Sequence, residues 1–297
     1  MTQQNFAVAP SRFSVGGVIG AGLPLLRRNF WQFFAVAFIL GIPIMILSTL
    51  LAQVGAVPTP MPAGSAPSPT MPLPAGGIAG SLLSAVVGFV GVLTYFVIQS
   101  AINYGTLQDL RGDRPAVAPC IARGLALLPR VFVAALLLFV AMFALTLLVV
   151  LVCYLIAVGI AATTGHNITV GTVSIMAALG VIGLALFLFV TLWVFVPSIV
   201  VEDAGPIGCF RRSRVLTKGH RWGIVGIAVL VFLANFLCSI VISLIGHSGA
   251  VATAALLNVV VGLAFTALSS VLTAIGYYAL RAEKEGYGLG DLARVFE

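Results

Sequence analysis

Charge is segregated along this chain. Its 15 basic and 8 acidic side chains fall in four clusters, at residues 12–28, 109–130, 202–221 and 281–297. Between the clusters run apolar stretches far longer than a soluble core helix, each interrupted once by a polar, Gly- or Pro-bearing loop. A bilayer crossing needs roughly 20 apolar residues of helix, so each stretch holds two crossings. Six are expected, near 29–51, 77–104, 131–160, 172–201, 222–245 and 251–280. Lys and Arg gather beside the cytoplasmic ends of spans. All 15 basic residues lie on one side of this threading, so both termini are expected in the cytoplasm and the location is a bacterial cytoplasmic (inner) membrane. The first twelve residues lack the pattern of a cleaved signal peptide, and the first crossing is expected to serve as the targeting signal. With 61% hydrophobic and only 8% charged residues, there is too little polar surface to coat a water-soluble globule of this size.

The formal net charge of +7 does not point to nucleic acid, because the bases are juxtamembrane and no aromatic-interleaved basic stripe accompanies them. Anionic phospholipid is the expected counter-charge. Cys120, Cys153, Cys209 and Cys238 include no C-x-x-C pair and read as small packing residues.

The segments ahead of the three hairpins resemble one another. Laying 18–31 over 120–133 without gaps matches Ile19 with Ile121, Gly22 with Gly124, Leu23 with Leu125, Leu25 with Leu127, Leu26 with Leu128, Arg28 with Arg130 and Phe30 with Phe132. A third copy, 209–222, keeps Phe210, Ser213, Leu216, Lys218 and Trp222, the last opposite Trp31. On a helical wheel Val15, Val18, Ile19, Leu23, Leu25 and Leu26 share one half, which suits a helix lying in the headgroup plane with its apolar side down. The hairpin exits repeat as well. Asp109, Glu202 and Glu283 each stand three residues before a glycine, with Tyr104, Pro197 and Tyr278 five residues ahead of them. A carboxylate at a helix C-terminus opposes the macrodipole, so each acid is expected to be structural and to have a basic partner; Arg28, Arg130 and Lys218 are the candidates.

The expected fold is an all-α integral membrane protein of six transmembrane helices, built as three parallel repeats of interfacial helix plus hairpin around a pseudo-threefold axis along the membrane normal. A single membrane domain covers 1–297, with repeats at 13–112, 116–205 and 206–286, a Pro-rich outer loop at 52–76 and a tail at 287–297. Pro43 is expected to bend the first crossing, and the small residues Gly77, Gly80, Ser81, Ser84, Gly88 and Gly91 to let a neighbour approach the second. The polar residues within the spans, Thr94, Tyr95, Gln99, Asn103, Asn235, Ser239, Asn258, Ser269, Ser270 and Thr273, are expected to hydrogen-bond between helices. No ionisable residue joins them, which weighs against ion-coupled transport.

Walker, G-x-S-x-G and H-E-x-x-H signatures are absent, so no catalytic, cofactor or metal residues are assigned and no enzyme activity is expected. Glu202 and Asp203 could bind a cation, but the nearby bases oppose it. Anionic-lipid contacts are expected at Arg27, Arg28, Arg123, Arg130, Arg211, Arg212, Arg214, Lys218 and Arg221. Pro197, Glu202, Gly205, Arg212, Ser213, Leu216, Thr217, Lys218, Gly219 and Trp222 together resemble the signature of the membrane domain fused to some glycerophosphoryl diester phosphodiesterases, and of related stand-alone YciC-like proteins. The phosphodiesterase barrel and its acidic metal ligands are missing, so the resemblance implies a stand-alone membrane domain without hydrolysis. The expected function is a non-catalytic module engaging anionic lipids or partner membrane proteins through its interfacial helices. The alternative is a passive channel or lipid-flux protein using the repeat axis, for which Gln99, Asn103, Asn235 and Asn258 should line one lumen.

Overall fold

A computed structural model describes residues 13–53, 77–164, 170–202, 205–247 and 249–286. The Pro-rich segment at 54–76, His166, Asp203 and the tail at 287–297 lie outside the described residues. All the secondary structure among the described residues is helical: α1 (Val15–Gln53), α2 (Gly77–Leu110), α3 (Val117–Ala126), α4 (Leu128–Thr164), α5 (Val170–Thr191), α6 (Phe195–Glu202), α7 (Pro206–Thr217), α8 (Arg221–His247) and α9 (Val251–Glu285). Six stretches, Val15–Ser48, Ala85–Leu110, Leu128–Ile160, Thr172–Glu202, Arg221–His247 and Thr253–Glu285, are long and apolar enough to cross a bilayer. The chain is a multi-pass membrane protein.

The first crossing is continuous with the helical segment before it, and α1 departs from helical geometry at Asn29 (φ −113°, ψ 19°) rather than at Pro43. The physical reason is that Asn29 turns its side chain back on the backbone: Nδ2 donates to Leu25 O at 3.3 Å and to Asp109 Oδ1 at 2.8 Å. The fourth crossing is broken between α5 and α6. Pro197 lacks an N–H and its ring crowds the carbonyl one turn earlier, at Trp193. Phe195 N accordingly donates to Leu192 O at 3.1 Å, so the carbonyl of Thr191 loses its usual helical donor. Two hydroxyls of α7 replace it, Ser213 Oγ at 2.9 Å and Thr217 Oγ1 at 3.2 Å. An unpaired carbonyl in hydrocarbon costs several kcal/mol, so this capture makes the break tolerable.

Burial concentrates at the end of the bundle that carries the charged side chains. Val271 to Leu280 of α9 is buried without interruption, as is Val97 to Asn103 of α2, and Phe33, Ile102, Leu272 and Ile275 form the largest cluster with Val18 and Leu25. Away from that end exposure rises: the most apolar window of α4 is 0% buried, although α4 and α5 stay packed on each other, with a Cβ on Gly180 meeting Val149 at 2.8 Å. The apolar stripe on the first segment therefore faces protein rather than lipid, because Val18, Leu25 and Leu26 are buried while Leu23 is exposed.

Each short segment crosses a span at a small residue. A Cβ on Gly22 would meet Leu272 of α9 at 2.6 Å, and one on Gly124 of α3 would meet Ala101 Cβ of α2 at 2.9 Å and Val97 O at 3.1 Å. Ser213 of α7, fully buried, lies on Thr191 at the end of α5. By contrast Gly88 has nothing within 4 Å and Gly91 only Ile44 at 3.8 Å, so the upper part of the small-residue stripe is not a tight interface; the side chains of 77–82 and Ser84 lie outside the described residues. The span hydroxyls also differ from expectation. Thr94, Ser239, Ser270 and Thr273 donate to carbonyls of their own helices, since the carbonyl one turn back is always within reach. The crossing geometry makes a contrast testable by thermal unfolding in detergent: Gly124→Ala should cost about 1–3 kcal/mol through overpacking, whereas Gly88→Ala should leave stability unchanged or slightly raised.

Candidate functional site

The charged end is built from the C-termini of α2, α6 and α9 and from the segment ahead of the Asn29 kink, α3 and α7. Glycine closes two of the helices: Gly112 (φ 91°) and Gly286 (φ 70°) sit in the left-handed region, with Gly112 N donating to Asp109 O and Gly286 N to Ala282 O, each at 3.1 Å. Gly205, at φ −65°, instead opens α7 as its N-cap.

The three acids are each met by donors. Asp109, buried, is held by the Arg28 guanidinium and by Asn29 Nδ2. Glu202 accepts from Arg212 Nε at 2.9 Å and from the Tyr277 hydroxyl at 2.6 Å. Glu283 takes the backbone N–H of Phe13 at 2.8 Å and lies 3.4 Å from His220 Nε2. The basic partner of Glu202 is thus Arg212, and the imidazole facing Glu283 is His220, in place of the expected Lys218. Lys218 serves through its backbone, where its carbonyl and that of Val215 accept the Lys284 ammonium at 2.7 and 2.5 Å, closing the end of α7.

Arg212 also reaches Glu285, which accepts from Arg281 Nε at 2.8 Å. The chain of Tyr277, Glu202, Arg212, Glu285 and Arg281 joins α6, α7 and α9 through alternating charges. Arg281 and Glu285, one helical turn apart, were readable as a pair from spacing; the reach of Arg212 between two carboxylates from different helices was not.

The remaining bases divide by environment. Arg27, Arg211, Arg214 and Lys218 are exposed and form no ion pair among the described residues. Arg27 and Arg28 flank a shallow groove with Leu23 and Pro24, about 540 Å³ in volume. Arg123 is half-buried on α3 and Arg130 exposed on α4. Arg221 lays its guanidinium 5.2 Å from the centre of the Phe187 ring. Trp31 and Trp222 are exposed by 78% and 88%, and Ile207 by 76%. Of the bases expected to face lipid, Arg28 and Arg212 therefore already have carboxylate partners.

Burial pushes the Cys120 and Cys209 thiols up to about 11, which leaves them protonated and unreactive at neutral pH. Among the described residues no three His, Cys, Asp or Glu side chains converge to hold a metal ion. The four amides suggested for a lumen do not share one: Asn103 is sealed at 2% exposure, Asn258 is exposed, and of the four only Gln99 lines the cavity between α2, α4, α5 and α9. Because Arg212 is shared by two acids and its neighbour Arg211 by none among the described residues, Arg212→Gln should lower stability in detergent by about 1–3 kcal/mol. Arg211→Gln should change it by less than about 0.5 kcal/mol; equal effects would remove the network from the list of stabilising contacts.

Neither a curated protein nor a solved structure matches the chain. Residues 113–282, from the turn before α3 into the last turns of α9, match a family described as a domain of unknown function, DUF7847. As the match spans more than half of the 297 residues, the chain belongs to the DUF7847 family.

Proposed function

We propose that this protein is a non-catalytic module of the bacterial cytoplasmic membrane that holds anionic phospholipid, or a partner membrane protein, at its charged end. The observation that carries this reading is the division of the bases. Asp109, Glu202, Glu283 and Glu285 meet Arg28, Arg212, Arg281 and His220, while Arg27, Arg211, Arg214 and Lys218 remain exposed and without an ion pair among the described residues. The free bases share the chain's short segments with Leu23, Val215 and Ile207, and Trp31 and Trp222 stand where α1 and α8 begin their apolar runs, all exposed. Tryptophan at the headgroup level and basic residues beside it are the combination that an anionic leaflet attracts. The resemblance of residues 196–222 to the membrane domain fused to some glycerophosphoryl diester phosphodiesterases is compatible with a lipid-facing role.

The same reading has three parallel units turning about an axis along the membrane normal. Supporting it, aligned positions share their burial: Val18, Cys120 and Cys209; Gly22, Gly124 and Ser213; Leu25, Leu127 and Leu216; Phe33, Ala135 and Ile224 are all buried. The crossings are also cyclic, since the first unit's short segment rests on α9, the second's on α2 and the third's on α5. Asn29 and His220, aligned with each other, each face the acid at their own unit's exit. In the second unit the aligned residue is Val131, which cannot accept or donate, and Glu202 turns to Arg212 of the third unit. The rival reading, a conduit along the axis, is weakened by the apolar packing of Val271, Leu272 and Ile275 against α1 and α2.

Neutralising Arg27, Arg211 and Arg214 together to Gln tests the lipid reading by native mass spectrometry of the full chain. At about 1 kcal/mol per base near an anionic surface, retained phosphatidylglycerol should fall on the order of a hundredfold relative to phosphatidylethanolamine, with thermal stability preserved. Unchanged retention would falsify the proposal. Orientation is tested separately: an epitope inserted between Pro58 and Pro74 should be reached by an antibody added outside intact spheroplasts, and reachability only after lysis would reverse the threading.

A further inference from the structure

Deep within the spans, between α2, α4, α9 and the broken end of α5, lies a cavity of about 310 Å³. It occupies the place where α5 stands off from α2 and α9, and Trp193, in the break itself, forms part of its wall with the indole seated on Gly276 of α9. Tyr95 and Phe189, exposed by 39% and 51%, sit among its lining residues, so the cavity opens sideways toward the bilayer.

The lining has two characters. Tyr95, Phe96, Phe189, Trp193 and Phe195 supply aromatic faces and edges. Among them Gln99, one turn from Tyr95 on α2, and Ser269 and Thr273 of α9 supply polar atoms. Ser269 and Thr273 donate their hydroxyl protons to Thr266 O and Ser269 O, at 3.0 and 2.7 Å, and the Tyr95 hydroxyl lies within hydrogen-bonding reach of Ser269. Gln99 is different. It is 8% exposed and forms no hydrogen bond among the described residues, leaving two amide protons and a carbonyl facing the space. Its amide atoms are open to the cavity, unlike those of Asn103 one turn on, which are sealed without a partner, and the cavity is large enough for a ligand that would pair with them.

We infer that this cavity is a binding site for an uncharged, apolar ring bearing carbonyl groups, the chemistry of a quinone-type lipid, with the ring against the aromatic residues, a carbonyl oxygen accepting from Gln99 Nε2 and the tail leaving sideways into the bilayer. Three considerations define the ligand. The lining carries no charged side chain, and an ion there would face a desolvation cost of several kcal/mol. Gln99 lies ten residues from Asp109, roughly 15 Å along the helix, which puts it near the middle of a hydrocarbon layer roughly 30 Å thick. Phospholipid ester groups stay near the headgroups, whereas a neutral ring can enter at that depth. A planar ring also gains from edge and face contacts with aromatic walls that a flexible chain does not. This site is distinct from the headgroup-level bases and stands or falls independently of them.

The chain contains three tryptophans, and replacing the exposed Trp31 and Trp222 by Phe leaves Trp193 as the reporter in the cavity wall. In nanodiscs of the full chain, titration with a short-tailed naphthoquinone should quench Trp193 saturably. Gln99→Leu should weaken the apparent affinity about tenfold, the loss of one well-made hydrogen bond, and Ala185→Phe, which fills the cavity, should abolish saturation, both with unaltered helical content. Quenching that rises linearly and equally in all three proteins reflects quinone dissolved in the bilayer and overturns the inference. Displacement of the quinone by a neutral diacylglycerol of matched chain length, at equal concentration, would reassign the site to an ester carbonyl and overturn the ring.

Discussion

Apolar side chains have no hydrophobic driving force to pack on one another when the solvent is itself hydrocarbon. Within a bilayer, helices are held together by close backbone approach, by hydrogen bonds and by ion pairs. In this protein all three occur at the same end. Gly124 admits α2 at a distance that leaves no room for a larger residue, Gly22 receives the end of the Leu272 side chain, Thr191 O receives two hydroxyls from α7, and four carboxylates receive guanidinium, imidazole or amide donors. Toward the far ends close approach persists between α4 and α5, where a Cβ on Gly180 would meet Val149 at 2.8 Å, while exposure rises until the most apolar window of α4 has no buried residue.

The short segments accordingly pack on protein along one face. Each has one face buried against the C-terminal half of a span from another hairpin, so each acts as a strap across the charged end. A carboxylate at a helix C-terminus, unfavourable on its own helix, becomes favourable once a strap brings a donor to it. The acids and the straps are mutually dependent, which explains why both recur in every hairpin and why the exact donor varies: Asn29 with Arg28, then Arg212 with Tyr277, then His220 with the Phe13 amide.

Much of this was legible beforehand. Segregated charge and span length gave six crossings, and the acids before Gly112, Gly205 and Gly286 marked the hairpin exits. What could not be read was partner choice, because Arg212 lies within α7 whereas Lys218 falls just past its end in extended backbone, and the sequence does not say where the helix stops or which face meets the acid. The orientation of the apolar stripe was equally hidden, since a helical wheel distinguishes faces without saying whether lipid or protein covers them. The break at residues 192–194 follows from Pro197, but its tolerance depends on Ser213 and Thr217, two dozen residues away. The cavity beside Gln99 has no sequence signature at all, because it arises from the separation of α5 from two helices it does not adjoin in sequence.

The second hairpin has a further consequence. The apolar part of α4 runs for 33 residues, roughly 50 Å of helix against a hydrocarbon layer of roughly 30 Å, and a surplus of that size is relieved by tilting. Strapped to the bundle at the charged end and packed on each other beyond it, α4 and α5 would tilt as a pair, by an angle that follows the thickness of the surrounding lipid. Because Leu138 and Met142 of α4 and Leu188 of α5 line the cavity beside Trp193, such a tilt would shift part of its wall, and membrane thickness would become a mechanical input to the protein's interior.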